Sequence, residues 1–103
     1  MPPSDDFVAR VLEVVVAIPS GQAMAYSDVA AAIGSRAVRG VGQVMAYYGS
    51  DAPWWRVVRA SGHPVRDHEV RALEHYRQEG TPLLWSPDGE VFRVDLSRAR
   101  WLP

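Results

Sequence analysis

The chain has 103 residues, 48% of them hydrophobic, which supports one modest core and leaves no surface for a second. It contains no cysteine, so disulfides, thiolate metal sites and a thiol nucleophile are excluded. Net charge is −1, but residues 35–66 carry Arg36, Arg39, Arg56, Arg59 and Arg66 against Asp51, a local +4 on a body of −5. One basic stretch on an acidic body is the footprint of a polyanion partner, with a solvated charged face as the alternative.

The first residues are acidic and the longest aliphatic run is Val14 to Ile18. That pattern predicts neither a signal peptide nor a membrane span, and a cytoplasmic protein is the expectation. Ser4 or Asp5 can cap a first helix with Val8, Val11/Leu12, Val15 and Ile18 on its apolar face, ended by Pro19-Ser20-Gly21. Ala23 to Tyr26 reads as a short extended link. Ser27 is the expected cap of a brief helix, Asp28 to Ile33, stopped by Gly34. Ser35 is the expected cap of a third, about Arg36 to Tyr47. Helix, glycine turn, helix is the spacing of a helix-turn-helix, with the third helix as the recognition element.

Gly40 and Gly42 lie inside that third helix, each costing about 1 kcal/mol relative to alanine. Close approach of another backbone is the usual compensation, supplied either by a nucleic acid or by a packed helix. Pro53-Trp54-Trp55-Arg56 then runs into Val57-Val58, the expected start of a short buried strand. Proline sets a bend, and the bend would place two large rings on either side of the chain. The rings serve a site or fill the core. Further on, Asp67 is the expected cap of a helix through Glu79, with Val70, Leu73 and Tyr76 on its inner face. Leu83 to Val94, turning at Pro87-Asp88-Gly89, reads as a hairpin, and Trp101 as a packing anchor in the tail. His63, His68 and His75 lack metal-ligand spacing and read as surface residues. No nucleophile elbow, P-loop or HExxH is present.

Tyr26, the segment Val38-Arg39-Gly40-Val41-Gly42-Gln43-Val44-Met45 and the Pro53–Val58 motif together resemble the DNA-binding domain of O6-alkylguanine-DNA alkyltransferases. In those enzymes the last motif reads Pro-Cys-His-Arg-Val and the cysteine accepts the alkyl group. Trp54 stands at that cysteine's position. The chain therefore resembles the alkyltransferase-like proteins, which bind O6-alkylguanine in DNA without repairing it and pass it to nucleotide excision repair. The similarity runs from Phe7 to the Trp101-Leu102-Pro103 end.

The resemblance implies a mainly α fold with small β elements, a winged helix-turn-helix in a single domain over residues 1–103. It implies no catalysis and no cofactor or metal. Arg39 matches the finger that enters the base stack, and Tyr26 matches the tyrosine that pushes the target nucleotide out. Trp54 would form the wall of a lesion pocket completed by Tyr26, Trp55 and Arg66, while Arg56 matches a structural arginine. DNA contacts are expected from Tyr26, Ser35, Arg36, Arg39, Gly40, Gly42 and Gln43. The implied partners are duplex DNA carrying O6-alkylguanine and nucleotide excision repair proteins, with the chain a monomer. Three departures stand out: the turn before Arg39 and the loop before Arg66 are each one residue short, and Trp55 replaces a histidine. A sequence-specific winged-helix regulator is the alternative, and it would share the helix-turn-helix and the arginines.

Overall fold

The computed structural model describes residues 4–103. Helix α1 (Asp5–Ala17) opens on Ser4, whose Oγ accepts the Phe7 N–H at 3.2 Å. Asp5 and Asp6 in its first turn complement the helix dipole. Val11, Val15 and Ile18 recur at i, i+4, i+7 and are buried, with Val8 and Leu12 half-buried against the same core.

Strand β1 (Met24–Ala25) leads directly into α2 (Tyr26–Ala32), whose cap, Ala25, lies two residues before the expected Ser27. The reason is Asp28: its carboxylate reaches back to the Ala25 N–H at 2.9 Å and satisfies the start of the helix from inside. Gly34, at φ +68°, ends α2 as expected. The Gly34 N–H donates to Ala31 O and the Ser35 N–H to Ala30 O, the paired bonds of a Schellman turn. Helix α3 (Val38–Tyr48) begins two residues later than the sequence suggests. Ser35 Oγ accepts the Ala37 N–H at 3.0 Å and holds a non-helical link, so Arg36 precedes the helix and does not ride on it.

A 3₁₀ turn (Trp54–Arg56) feeds β2 (Val57–Val58), which pairs in parallel with β1, Met24 opposite Val57 and Ala25 opposite Val58. Successive strand residues face opposite ways, and this divides the core. Val57 joins the cluster of α1, α2 and α3; Val58 joins a second cluster with Ala72, Tyr76, Phe92, Val94 and Ala99. Helix α4 (Glu69–Glu79) follows Asp67, which sits at φ +69°, a conformation that aspartate tolerates better than most residues. Its inner face is Ala72 and Tyr76, with Leu73 beside them; Val70, expected there, is 76% exposed. The i, i+4 pair sets the buried stripe, and Val70 falls off it.

Strands β3 (Leu83–Trp85) and β4 (Phe92–Val94) form the expected antiparallel hairpin, the wing that follows the helices. Gly62 fixes the wing to the body. It lies at φ +93°, its carbonyl accepts the Val94 N–H at 2.8 Å, and a Cβ there would come within 2.2 Å of Val94 O. No other residue fits. Helix α5 (Leu96–Ala99) returns the chain to β1, where the Trp101 N–H donates to Ala23 O and the half-buried Trp101 ring packs on the first cluster. No helix among the described residues is long and apolar enough to cross a membrane.

Candidate nucleic-acid interface

Along α3 the residues Val41, Val44 and Met45 turn inward, which leaves Arg39, Gly42, Gln43 and Ala46 on one outer stripe at i, i+3, i+4, i+7. Arg39 and Gln43 are exposed, as is Arg36 just before the helix. The two helix glycines have different reasons. A Cβ on Gly40 would meet the Phe7 ring of α1 at 3.1 Å, so helix packing explains it. A Cβ on Gly42 would meet nothing within 4 Å, so no intramolecular contact does.

The stripe ends at a cavity of about 330 Å³. Gly42, Met45, Ala46 and Gly49 build one wall, again at helical spacing. Trp54 from the 3₁₀ turn, Tyr26 from the start of α2, Val65 from the following loop, and His68 and Arg71 from the start of α4 build the rest, with Ser50. Trp54 packs against both core clusters, so its ring sits at the seam between the two halves of the core. His68 meets it edge-on at 5.8 Å, and the Arg71 guanidinium stands 5.5 Å from its ring centre. Burial raises the Tyr26 pKa, with Arg59 opposing, so its hydroxyl stays protonated and able to donate at neutral pH.

Of the four residues expected at a lesion pocket, the fold brings Tyr26 and Trp54 together there and directs Trp55 and Arg66 elsewhere. The two tryptophan rings meet edge to face, 5.7 Å apart at 89°, and only Trp54 lines the cavity. Trp55 stacks on His75 at 3.6 Å with a 6° tilt and donates its Nε1–H to Glu79 at 3.0 Å. His75 is therefore half-buried and packed, a correction to its reading as a surface residue. Arg66 is exposed on the loop before α4 and does not line the cavity.

Glu79 had no signal in the sequence, yet it ties the site together. Its carboxylate accepts from Gly21 N, Trp55 Nε1 and Arg56, while Arg56 Nη1 also donates to Ile18 O at 2.9 Å. Burial alone would raise the Glu79 pKa, but the hydrogen bonds from Arg56, Gly21 and Trp55 outweigh it and hold the carboxyl below its ordinary value. Tyr76 adds a second tie, donating its hydroxyl to Trp55 O at 2.6 Å. No cluster of three metal-ligating side chains occurs among the described residues.

These features define a winged helix-turn-helix module with an aromatic-walled cavity beside its second helix. The family model for the 6-O-methylguanine DNA methyltransferase DNA-binding domain matches residues 6–80. A DNA base-flipping protein of Escherichia coli is 38% identical over 109 residues, spanning 98% of this chain and 78% of that one. Alkyltransferase-like protein 1 of Schizosaccharomyces pombe is 27% identical over 106 residues, 96% of this chain and 97% of that protein. A crystal structure of the S. pombe protein in complex with damaged DNA containing O6-carboxymethylguanine superposes with a TM-score of 0.82 at 29% identity, covering 98% and 99% of the two chains. The chain belongs to the 6-O-methylguanine DNA methyltransferase DNA-binding family, on its alkyltransferase-like branch.

Proposed function

We propose that this protein is a DNA-damage sensor that extrudes O6-alkylguanine from the duplex into the Trp54 cavity and does no chemistry on it. The observation that carries this reading is the placement of Trp54. It stands in the wall of a cavity that adjoins the outer stripe of α3, in a chain with no cysteine. The names of its relatives, a base-flipping protein and an alkyltransferase-like protein, support the same reading.

Extruding a base costs a few kcal/mol, and alkylation at O6 removes the guanine N1 proton, weakens the pair and lowers that cost. Stacking on an aromatic wall returns about 1–3 kcal/mol. Trp54, Met45 and Val65 offer apolar surface for the alkyl group. Arg39, exposed near the start of α3, fills the gap left in the stack. Tyr26 donates its hydroxyl to the displaced phosphate, and Ser35, Arg36, Gly42 and Gln43 follow the backbone on either side, while Gly40 serves the packing of α3 on Phe7. Alkyl transfer is absent because no thiol occupies the site and the neighbouring Trp55 indole is a donor only, already engaged by Glu79. Because the lesion stays in the DNA, its removal falls to nucleotide excision repair proteins, to which the sensor, a cytoplasmic monomer, presents it. The test is whether the protein holds a duplex with one O6-methylguanine in preference to the unmodified duplex, with its own mass unchanged afterwards.

Gly42 provides a finer check. With no neighbour within 4 Å of its missing Cβ, Gly42→Ala is expected to stabilise α3 by about 0.5–1 kcal/mol. It is expected at the same time to weaken binding of lesion duplex, because the minor-groove side of α3 requires close approach. Thermal melts and duplex titrations of the one variant decide it. A more stable protein with unchanged affinity would show that nothing approaches α3 at Gly42.

A further inference from the structure

We propose that the cavity prefers O6 adducts that carry a negative charge, a carboxymethyl group being the simplest, and that Arg71 is the residue that reads the charge. This rests on the extrusion reading above.

The cavity lining includes Arg71 and His68 and no carboxylate. Asp67 and Glu69 before Arg71, and Glu74 one turn further along α4, are absent from the wall, and the Glu69 carboxylate accepts the Asp67 N–H at 2.6 Å. Arg71 makes no ion pair among the described residues. It is held over the Trp54 ring at 5.5 Å as a cation on an aromatic face. Helix stability does not account for it, since a cation in the first turn of α4 opposes the helix dipole. What remains is a planar fork of N–H donors, unpaired, at the mouth of a cavity sized for a base with a short substituent.

A neutral alkyl group meets Trp54, Met45 and Val65 and gains from burial alone. A carboxylate on the same carbon adds a charge-assisted, two-pronged hydrogen bond from Arg71. The extruded base covers the guanidinium and lessens its screening by water. Arg66, exposed and off the wall, is not in a position to do this.

The experiment uses two duplexes that differ only in charge, one with O6-carboxymethylguanine and one with its amide isostere, O6-carbamoylmethylguanine. The wild-type protein is expected to bind the carboxymethyl duplex about five- to twentyfold more tightly at low salt. In Arg71→Gln that ratio falls to about one, with the amide duplex changed by less than about threefold. Arg71→Lys, which keeps the charge and loses the fork, retains part of the preference. Equal wild-type affinities would overturn the proposal, as would a ratio that survives Arg71→Gln. So would an Arg71→Gln protein, folded by circular dichroism, that loses affinity equally for every duplex with a shallower salt dependence, since that marks a phosphate contact. The two failures separate cleanly. Loss of all discrimination between adducted and plain guanine in the wild type refutes extrusion; discrimination without a charge preference refutes only the role of Arg71.

Discussion

Glu79→Ala is expected to lower the thermal midpoint by about 12–40 °C. The Glu79 and Arg56 side chains are only 10% and 17% exposed, and removing one member of a buried pair costs about 3–5 kcal/mol. In a domain of this size each kcal/mol moves the midpoint by about 4–8 °C. The loss is larger than for a simple pair, because Arg56, the Trp55 indole and the Gly21 N–H all lose their acceptor together. Acid should reproduce part of it. The Glu79 carboxyl is held below its ordinary value when folded, so its contribution is full above the unfolded carboxyl's range and disappears as pH falls through the folded value. The wild type should therefore lose more stability on acidification than Glu79→Ala does. Melts of both proteins at neutral and acidic pH measure this. A midpoint shift under about 5 °C at neutral pH would mean that the carboxylate does not organise the site.

Arg39→Ala should remove most of the preference for lesion DNA and leave the fold untouched. The side chain is exposed, so its loss opens no cavity and strands no buried partner. What it removes is the group that fills the vacated stack, worth about 1–3 kcal/mol, or about 5- to 150-fold in the ratio of lesion to plain affinity. Arg36→Ala supplies the contrast. As a phosphate contact it should weaken both duplexes alike and reduce the salt slope by about one. Titrations at several salt concentrations separate the two, and an Arg39→Ala protein that still discriminates fully would exclude the finger role.

What the sequence disclosed and what it hid follow from the range of the interactions. Gly34, the Pro87-Asp88-Gly89 turn and Val57-Val58 act through their immediate neighbours, and the helix-turn-helix, the hairpin and the short strand lie where those signals put them. Helix starts were less legible. Ser27 and Ser35 are good caps by type, but Asp28 reaches back to Ala25, and Ser35 spends its oxygen on Ala37 before α3 begins. Long-range contacts gave no signal at all. Glu79 meets Gly21 across 58 positions and Trp55 across 24, and nothing in its own neighbourhood marks it. The same holds for the cavity. Met45, Val65, His68 and Arg71 reach it only through the packing of α3, the loop and α4, whereas Tyr26 and Trp54 were visible because they sit in recognisable motifs. The Trp54-Trp55 pair was legible as a unit but not in direction. Only the folded contacts show that Trp54 lines the cavity while Trp55 stacks on His75 and donates to Glu79.

Recognition of an O6-alkylated guanine without its repair is decided by a paired affinity measurement. One duplex carries a single O6-methylguanine and the other guanine at the same site, each prepared in two unrelated flanking sequences, with the protein's mass taken after binding. The lesion duplex is expected to bind about tenfold or more tightly in both flanks, from an extruded base stacked on Trp54, with the protein's mass unchanged. Equal affinity for lesion and plain duplex, affinity that follows the flanking sequence, or a protein heavier by a methyl group would contradict it.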